Sequence, residues 1–342
     1  MNDVAAAAGV SQSTVSRILN DAPARVDVSS DTRERVQAIA SELGYRPHPI
    51  ARALRGAPTM LLGAVVRDIT DPFFAAAIEA LSIEAKEHGY SVVLGHARAK
   101  ADEALALTAV LEARHCDAII LLGDFGGERR LVEDLYSSQV RVVGLWHGLE
   151  RGRPFPTVGV DNRAGIRAAL DHLVGCGHRR IAYVGEPVGD MPERHAAYRE
   201  YADAAGLVAP RDYTRQVENT TAGGGLALAA LLEQRPRPTA IITGTDMLAM
   251  GVIHAAYESG VSVPGELSVV GFDDIPLASA TVPSLTTVKM PIAEIVAAGV
   301  ALAIGNGRWS AQDGEHAPRT TFQPTLIVRG STARVAATAA AD

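Results

Sequence analysis

The chain has 342 residues, 47% of them apolar and 21% charged. That is enough for two or three domains of ordinary globular composition, and it excludes both a single small module and a largely disordered chain. The formal charge of −7 argues against a polyanion as partner only on average: residues 1–56 carry seven arginines against six acids, a net +1, which leaves −8 for the remainder. A near-neutral head on an acidic body suggests two parts with different work. Cys116 and Cys176 lie sixty residues apart with no paired spacing, so reduced structural thiols are expected rather than disulfides or a zinc site. No basic-then-apolar leader opens the chain, and no apolar run approaches the ~18–20 residues that span a bilayer. A cytoplasmic location without a membrane partner is expected.

In chain order, residues 2–9 read as a short Ala-rich helix stopped by Gly9, and Ser11 stands as the cap of a second helix ending near Leu19. Ser29-Ser30-Asp31 can cap a third, whose Val36, Ile39, Ala40 and Leu43 keep a helical period before Gly44. This predicts a helix-turn-helix head over residues 1–47. Residues 48–58 read as a linker. Its segment Ile50–Arg55 is too short to hold a helix alone, so it should order only against a partner.

From residue 59 to 330, strand and helix signals alternate. Leu61–Val66, Val92–Leu94, Ala118–Leu122 and Val140–Leu145 are apolar runs separated by helix-length stretches such as Phe73–His88 and Asp102–Ala113. A second series follows: Val158–Val160, Ile181–Val184, Ala240–Thr243, Leu267–Gly271 and Thr286–Met290, then a helix near Ile292–Gly305 and a strand near Thr325–Val328. Such alternation predicts parallel sheets with helices on both faces. We expect two α/β lobes with a cleft between them, one over residues 59–156 and 286–318, the other over 157–285 and 319–330. Residues 331–342, mostly Ala, Thr and Ser, are expected to fray.

The stretch Asp3–Asn20 carries the most chemistry. A helix-turn-helix needs small residues where its helices cross, glycine at the turn, and a second helix with one apolar and one hydrogen-bonding face. Val15, Ile18 and Leu19 can pack inward while Gln12, Ser13, Ser16 and Arg17 face outward, ready for base edges or phosphates. A capped amphipathic helix in another kind of bundle is the alternative.

These residues resemble the LacI/GalR family of bacterial transcription regulators. The likeness runs through Asp3-Val4-Ala5, Ala8-Gly9-Val10-Ser11, Thr14-Val15-Ser16-Arg17, Asn20, Thr32-Arg33-Glu34-Arg35-Val36, Leu43-Gly44-Tyr45-Arg46-Pro47 and Ala51-Arg52-Ala53-Leu54. In the body it continues with Asp71-Pro72-Phe73-Phe74, Val158-Gly159-Val160-Asp161-Asn162, Gly177-His178-Arg179-Arg180-Ile181, Val269-Val270-Gly271-Phe272-Asp273-Asp274 and Pro283-Ser284-Leu285-Thr286-Thr287-Val288. The resemblance implies an N-terminal all-α helix-turn-helix head plus an α/β, periplasmic-binding-protein-like body of two doubly wound parallel-sheet lobes. It also implies that Gln12, Ser13, Ser16 and Arg17 enter the major groove. Ser11, Thr14 and Asn20 complete that face, the latter two near phosphates. Ile50–Arg55 would form a helix on the operator, paired with its copy, with Leu54 wedged into the minor groove between Arg52 and Arg55. An apolar wedge flanked by cations suits a kinked step, although a leucine can equally pack a linker down. Family members usually carry several residues before Asp3-Val4-Ala5; here the chain starts almost inside that helix, so a late start or a frayed first turn is expected.

The cleft should be lined by loops after the strand ends of both lobes. Phe73 could stack on a ring face and Asp71 accept hydroxyl donors; equally, Asp71 and Pro72 could cap a helix with Phe73 in the core. By resemblance, Arg194 matches an arginine that forks onto ligand oxygens and Asp273 an acid late in the second lobe, a pair suited to polyols. Asp273-Asp274 could instead cap the next segment. Trp146 and His147 fall where a cleft-facing group is expected, with core packing the alternative for Trp146. Thr245 stands where the family often has Asn, and Thr220 is a further candidate.

Other patterns fail. Gly223-Gly224-Gly225 is not a phosphate-loop fingerprint, the histidines are scattered without metal spacing, and no Ser/His/Asp set has a nucleophile-elbow context. No catalytic residue, cofactor or metal is expected. The reading is a ligand-responsive, sequence-specific regulator, expected to repress carbohydrate uptake or catabolism genes. It would bind double-stranded pseudo-palindromic operator DNA as a homodimer, with a tetramer left open, under control of a sugar-like effector. A transporter's solute receptor would leave residues 2–56 without purpose, and a Rossmann-type enzyme would lack its fingerprint. With so slight a positive excess in the head, non-specific DNA affinity should be low.

Overall fold

The computed structural model describes residues 1–19, 28–44, 58–125, 140–146, 155–187, 191–305 and 317–335. It divides into two units, Met1–Leu61 and Leu62–Asp342. Linker residues Ile50, Arg52, Leu54 and Arg55 lie outside the described residues, as do Asn20 and His147.

The first unit contains α1 (Asn2–Ala8), α2 (Gln12–Leu19) and α3 (Ser30–Glu42). Gly9 takes φ 64, a left-handed conformation that ends α1 and lets the Val10 N–H donate back to the Ala5 carbonyl. Ser11 Oγ accepts from the Thr14 N–H at 3.1 Å and Ser29 Oγ from the Thr32 N–H at 3.4 Å, so both expected caps form. Val4, Ala5, Ala8, Val15, Ile18, Val36 and Ala40 make the core, with alanines where the helices come close.

In the second unit, β1 (Leu61–Val66), α4 (Pro72–Glu87), β2 (Ser91–His96), α5 (Ala101–Ala113), β3 (Ala118–Leu122), β4 (Arg141–Leu145) and β5 (Thr157–Val160) come first. Then follow α6 (Asn162–Gly175), β6 (Ile181–Gly185), α7 (Met191–Ala204), β7 (Thr214–Gln216), α8 (Thr221–Leu232), β8 (Ala240–Thr243), α9 (Asp246–Glu258) and β9 (Ser268–Asp273). The series closes with β10 (Thr286–Lys289), α10 (Ile292–Ile304), β11 (Arg319–Phe322) and β12 (Thr325–Ile327). Two six-stranded sheets result, in the orders β11-β5-β4-β3-β1-β2 and β12-β10-β9-β8-β6-β7. Their central strands are parallel and buried on both faces, as with Leu62 opposite Ala118 and Ile181 opposite Ala240; β12 is antiparallel to β10 at one edge.

The sheets move each expected lobe boundary one strand later. Leu145 pairs with Val158, Thr157 with Arg319, and Thr286 with Val270, so β5 and β11 belong to the first sheet and β10 to the second. The chain therefore crosses after β5, β10 and β11, at strand ends, rather than before them. Fraying from Ser331 is corrected too. Ser331 Oγ donates to the Val269 carbonyl at 2.6 Å and accepts from the Thr286 N–H at 2.8 Å. The Ala333 N–H then donates to Ser268 Oγ and the Val335 N–H to the Cys176 carbonyl. Residues 336–342 lie outside the described residues.

The glycine run before Leu226 has a packing role. A Cβ at Gly224 would stand 2.2 Å from the Leu248 carbonyl oxygen, and one at Gly251 2.0 Å from that of Thr221. Helices α8 and α9 thus meet backbone to backbone, and only glycine fits the seam. Gly251→Ala should cost about 1–3 kcal/mol, read as a lower urea midpoint. At Gly225 an added Cβ finds its nearest neighbour at 3.6 Å, and Gly225→Ala should leave the midpoint unchanged or raise it.

Candidate functional site

Two surfaces carry the candidate residues. On the head, Val15 and Ile18 anchor α2 in the core, which turns Gln12 and Ser13 to solvent and leaves Thr14, Ser16 and Arg17 half-buried. Ser11 Oγ is engaged in the turn, 2.8 Å from both Ser13 Oγ and Thr14 Oγ1. Among the described residues, Arg17 Nε makes a long 3.4 Å donation to the Ser13 carbonyl. Gln12 and Arg17 are the side chains on this face able to make two parallel hydrogen bonds to one base edge.

In the body, a cavity of about 50 Å³ lies between the lobes where strands of both sheets end. Asp71, Phe73, Trp146, Arg194, Thr245 and Asp273 all line it. Thr220 does not; its hydroxyl accepts from the Gly223 N–H and caps α8. Its neighbour Asn219 lines the cavity instead, as do Arg67 and Asp124, none of which the sequence pattern had singled out. A cap signature at Thr220 marked the right loop, but not which residue of it turns inward.

Each lining group is held by its element. Asp71 does both things expected of it: Oδ1 caps α4 by accepting from the Phe73 N–H at 2.9 Å, and Oδ2 accepts from Asn219 Nδ2 of the other lobe at 3.1 Å. Burial holds its carboxyl above the ordinary range, opposed by the Phe73 N–H and the Arg67 charge. Asn219 is oriented in turn by Thr245, which donates to its Oδ1 and caps α9 through the Leu248 N–H. A second bridge spans the lobes, with Arg67 Nη2 2.6 Å from Glu186 Oε2.

Aromatic rings form one wall. Phe73 and Trp146 meet edge to face at 5.0 Å, an arrangement that fixes both rings. Trp146 is 3% exposed, and its indole Nε1 is buried with no hydrogen-bond partner. A buried, unspent donor is costly unless something accepts from it. Trp146 at φ 55, Asp273 at φ 117 and Asp274 at φ 56 all occupy the left-handed region, a concentration of backbone strain at the strand ends beside the cavity.

Arg194 is 4% exposed and forms the floor on the second lobe. Its Nε donates to Asn162 Oδ1 at 2.8 Å and its Nη1 to the Gly244 carbonyl. Nη1 also lies 3.6 Å from Asp273 Oδ1, and the guanidinium sits 3.7 Å over the Phe272 ring. Beneath Asp273, the buried carboxylate of Asp246 accepts from Thr287 Oγ1 and from the Ile275 N–H, tying α9, β10 and the chain after Asp273 together. Among the described residues, no group of three or more His, Cys, Asp or Glu is placed to hold a metal, and no helix is long and apolar enough to cross a membrane.

Burial lifts the Asp246 carboxyl to about 7 despite its two hydrogen bonds. Unfolded, it would titrate near its ordinary value of about 4. Between these values the folded chain holds a proton that the unfolded chain lacks, so this group's contribution to stability falls as pH rises towards 7. Urea unfolding should show a smaller loss of stability from about pH 5 to about pH 7.5 in Asp246→Asn than in the parent chain.

Two family models match the chain: bacterial regulatory proteins, lacI family, over residues 1–48, and a periplasmic binding protein-like domain over residues 170–332. The HTH-type transcriptional regulator GalS of Salmonella typhimurium is 32% identical over 335 residues, spanning 97% of this chain and 96% of the relative. Among solved structures, the Lac repressor dimer bound to operator and the anti-inducer ONPF superposes with a TM-score of 0.84 at 26% identity, covering 97% of this chain and 98% of that one. A complex of the transcriptional regulator CelR with cellobiose gives 0.69 at 28% identity, over 96% and 98%.

Proposed function

The chain belongs to the lacI family of bacterial regulatory proteins, which are DNA-binding transcription regulators and not enzymes, and on that premise we propose that it is a sugar-responsive repressor acting as a dimer. Its operator is a pseudo-palindrome, because each head reads one half-site and a two-fold dimer reads two. Gln12, Ser13, Ser16 and Arg17 enter the major groove, with Ser11, Thr14 and Asn20 beside them. The segment containing Ile50, Arg52, Leu54 and Arg55 orders in the minor groove between the heads. The genes it represses serve carbohydrate uptake or catabolism, and it works in the cytoplasm, where its operator is.

The closed cleft is the observation that carries the effector reading. Its volume of about 50 Å³ is well below the ~300–1,000 Å³ of a small-molecule site, so a ligand enters only as the lobes part. Parting them breaks Asn219–Asp71 and Arg67–Glu186, and a polyol can satisfy the same groups, since each hydroxyl both donates and accepts. Trp146 Nε1 offers a further donor, Phe73 and Trp146 an apolar wall, and Arg194 with Asp273 a charged floor; His147 completes the set. Lobe angle and occupancy thus become one equilibrium, and a differential affinity worth about 1–3 kcal/mol would couple it to operator binding.

Dimerisation is supported by the dimeric Lac repressor neighbour and by apolar side chains left outside on the rigid α8–α9 pair. Leu226 is 71% exposed and Tyr257 84%, and an interface would cover them.

Fluorescence anisotropy should show preference for duplexes carrying a pseudo-palindrome over random DNA at moderate salt, and Arg17→Ala should weaken specific binding about tenfold or more. Equal binding to both duplexes would overturn the regulator reading. In a thermal-shift screen of sugars, Arg194→Ala should abolish the shift given by the active sugar while operator binding persists. An unchanged shift would remove Arg194 from the site.

A further inference from the structure

The second lobe has another cavity at the opposite end of its strands. It is about 320 Å³ and lies ahead of β6, β8 and β9, whereas the cleft gathers residues that follow those strands. Among the described residues, three arginines line it, Arg180, Arg237 and Arg334, against a single acid, Glu266. This is a local cationic excess on a body whose net charge is −8. Leu232, Val261 and Leu267 supply an apolar floor.

The arginines come from three separate stretches of chain, and backbone bonds bring them together. The Arg180 carbonyl accepts from the N–H groups of Thr239 and Ala240 at 2.8 and 3.2 Å, fastening the entrance of β6 to the loop that carries Arg237. Arg334 rides on the C-terminal segment, which is pinned on either side of it. The Ala333 carbonyl lies 3.1 Å from Nε2 of the buried His178, the Ala333 N–H donates to Ser268 Oγ, and the Val335 N–H donates to the Cys176 carbonyl at 2.9 Å. Glu266 is engaged locally, its Oε2 accepting from the Ser262 N–H at 2.9 Å. A preformed cavity of ligand size, lined by several guanidiniums over an apolar floor, matches an anionic head on an organic body. Guanidinium forks favour phosphoryl oxygens because they bind them in pairs.

We propose that this cavity is a second small-molecule site, separate from the cleft, that takes a phosphate ester, with Arg180, Arg237 and Arg334 around the phosphoryl group and the ester's organic part on the apolar floor. The site stands whatever occupies the cleft.

Phenyl phosphate, inorganic phosphate and phenol are suitable probes, titrated into the full chain by calorimetry. Phenyl phosphate should bind saturably, more tightly than inorganic phosphate, and phenol should not bind. Raising the salt should weaken the interaction. Arg237 and Arg334 are exposed, so the double variant Arg237→Ala/Arg334→Ala should fold and lose affinity for phenyl phosphate about tenfold or more. The proposal is overturned if the parent chain shows no saturable binding or if the double variant binds as tightly as the parent.

Discussion

A guanidinium that is 4% exposed must have its charge answered within the fold, and the way Arg194 is answered organises the cleft. Among its partners, Asn162 opens α6, Gly244 follows β8, and Asp273 ends β9. Asn162 is held in turn by Glu193, the residue before Arg194, through a 2.9 Å bond from Nδ2 to Oε2. Withdrawing one partner would leave a buried charge short of its bonds, so the second lobe's half of the cleft behaves as a preassembled unit.

That unit is joined to the crossovers. Asp161, immediately before Asn162, caps α6 through the Ala164 N–H and accepts from Gln323 Nε2 at 3.2 Å. Residue 161 lies on the strand connection after β5 and residue 323 on the one after β11, so two of the three connections between lobes are tied to each other and to the floor that Arg194 builds. Among the described residues, the lobes are joined across the cavity by Asn219 to Asp71 and by Arg67 to Glu186.

The same polar side chains serve two ends. Asp71 and Thr245 each cap a helix and also reach across or along the cleft, so the two readings open at Asp71 were never exclusive: a carboxylate has two oxygens and uses one for each. Thr220 shows the opposite outcome. Its hydroxyl is consumed by the cap, and the adjacent Asn219, whose longer amide reaches the cavity, takes the place in the lining. Of the glycines at 223–225, excluded as a phosphate loop, Gly224 proves to sit in the close seam between α8 and α9.

By itself the sequence determined what local chemistry settles. Gly9, Ser11 and Ser29 punctuate the three head helices through their own backbone bonds, the alternating apolar runs of the body form parallel strands, and the outward face of α2 follows from helical periodicity. Tertiary structure alone decided which sheet each strand at a crossover joins, since the short β5, β10 and β11 carry no mark of a lobe in their own residues and only pairing with β4, β9 and β5 assigns them. It also decided that Arg67 and Asn219 face the cleft, that the chain from Ser331 to Val335 is held, and that Arg180, Arg237 and Arg334 share one cavity. Each of these depends on contacts between residues far apart in the chain, and periodicity and caps carry no record of what lies across a gap in space.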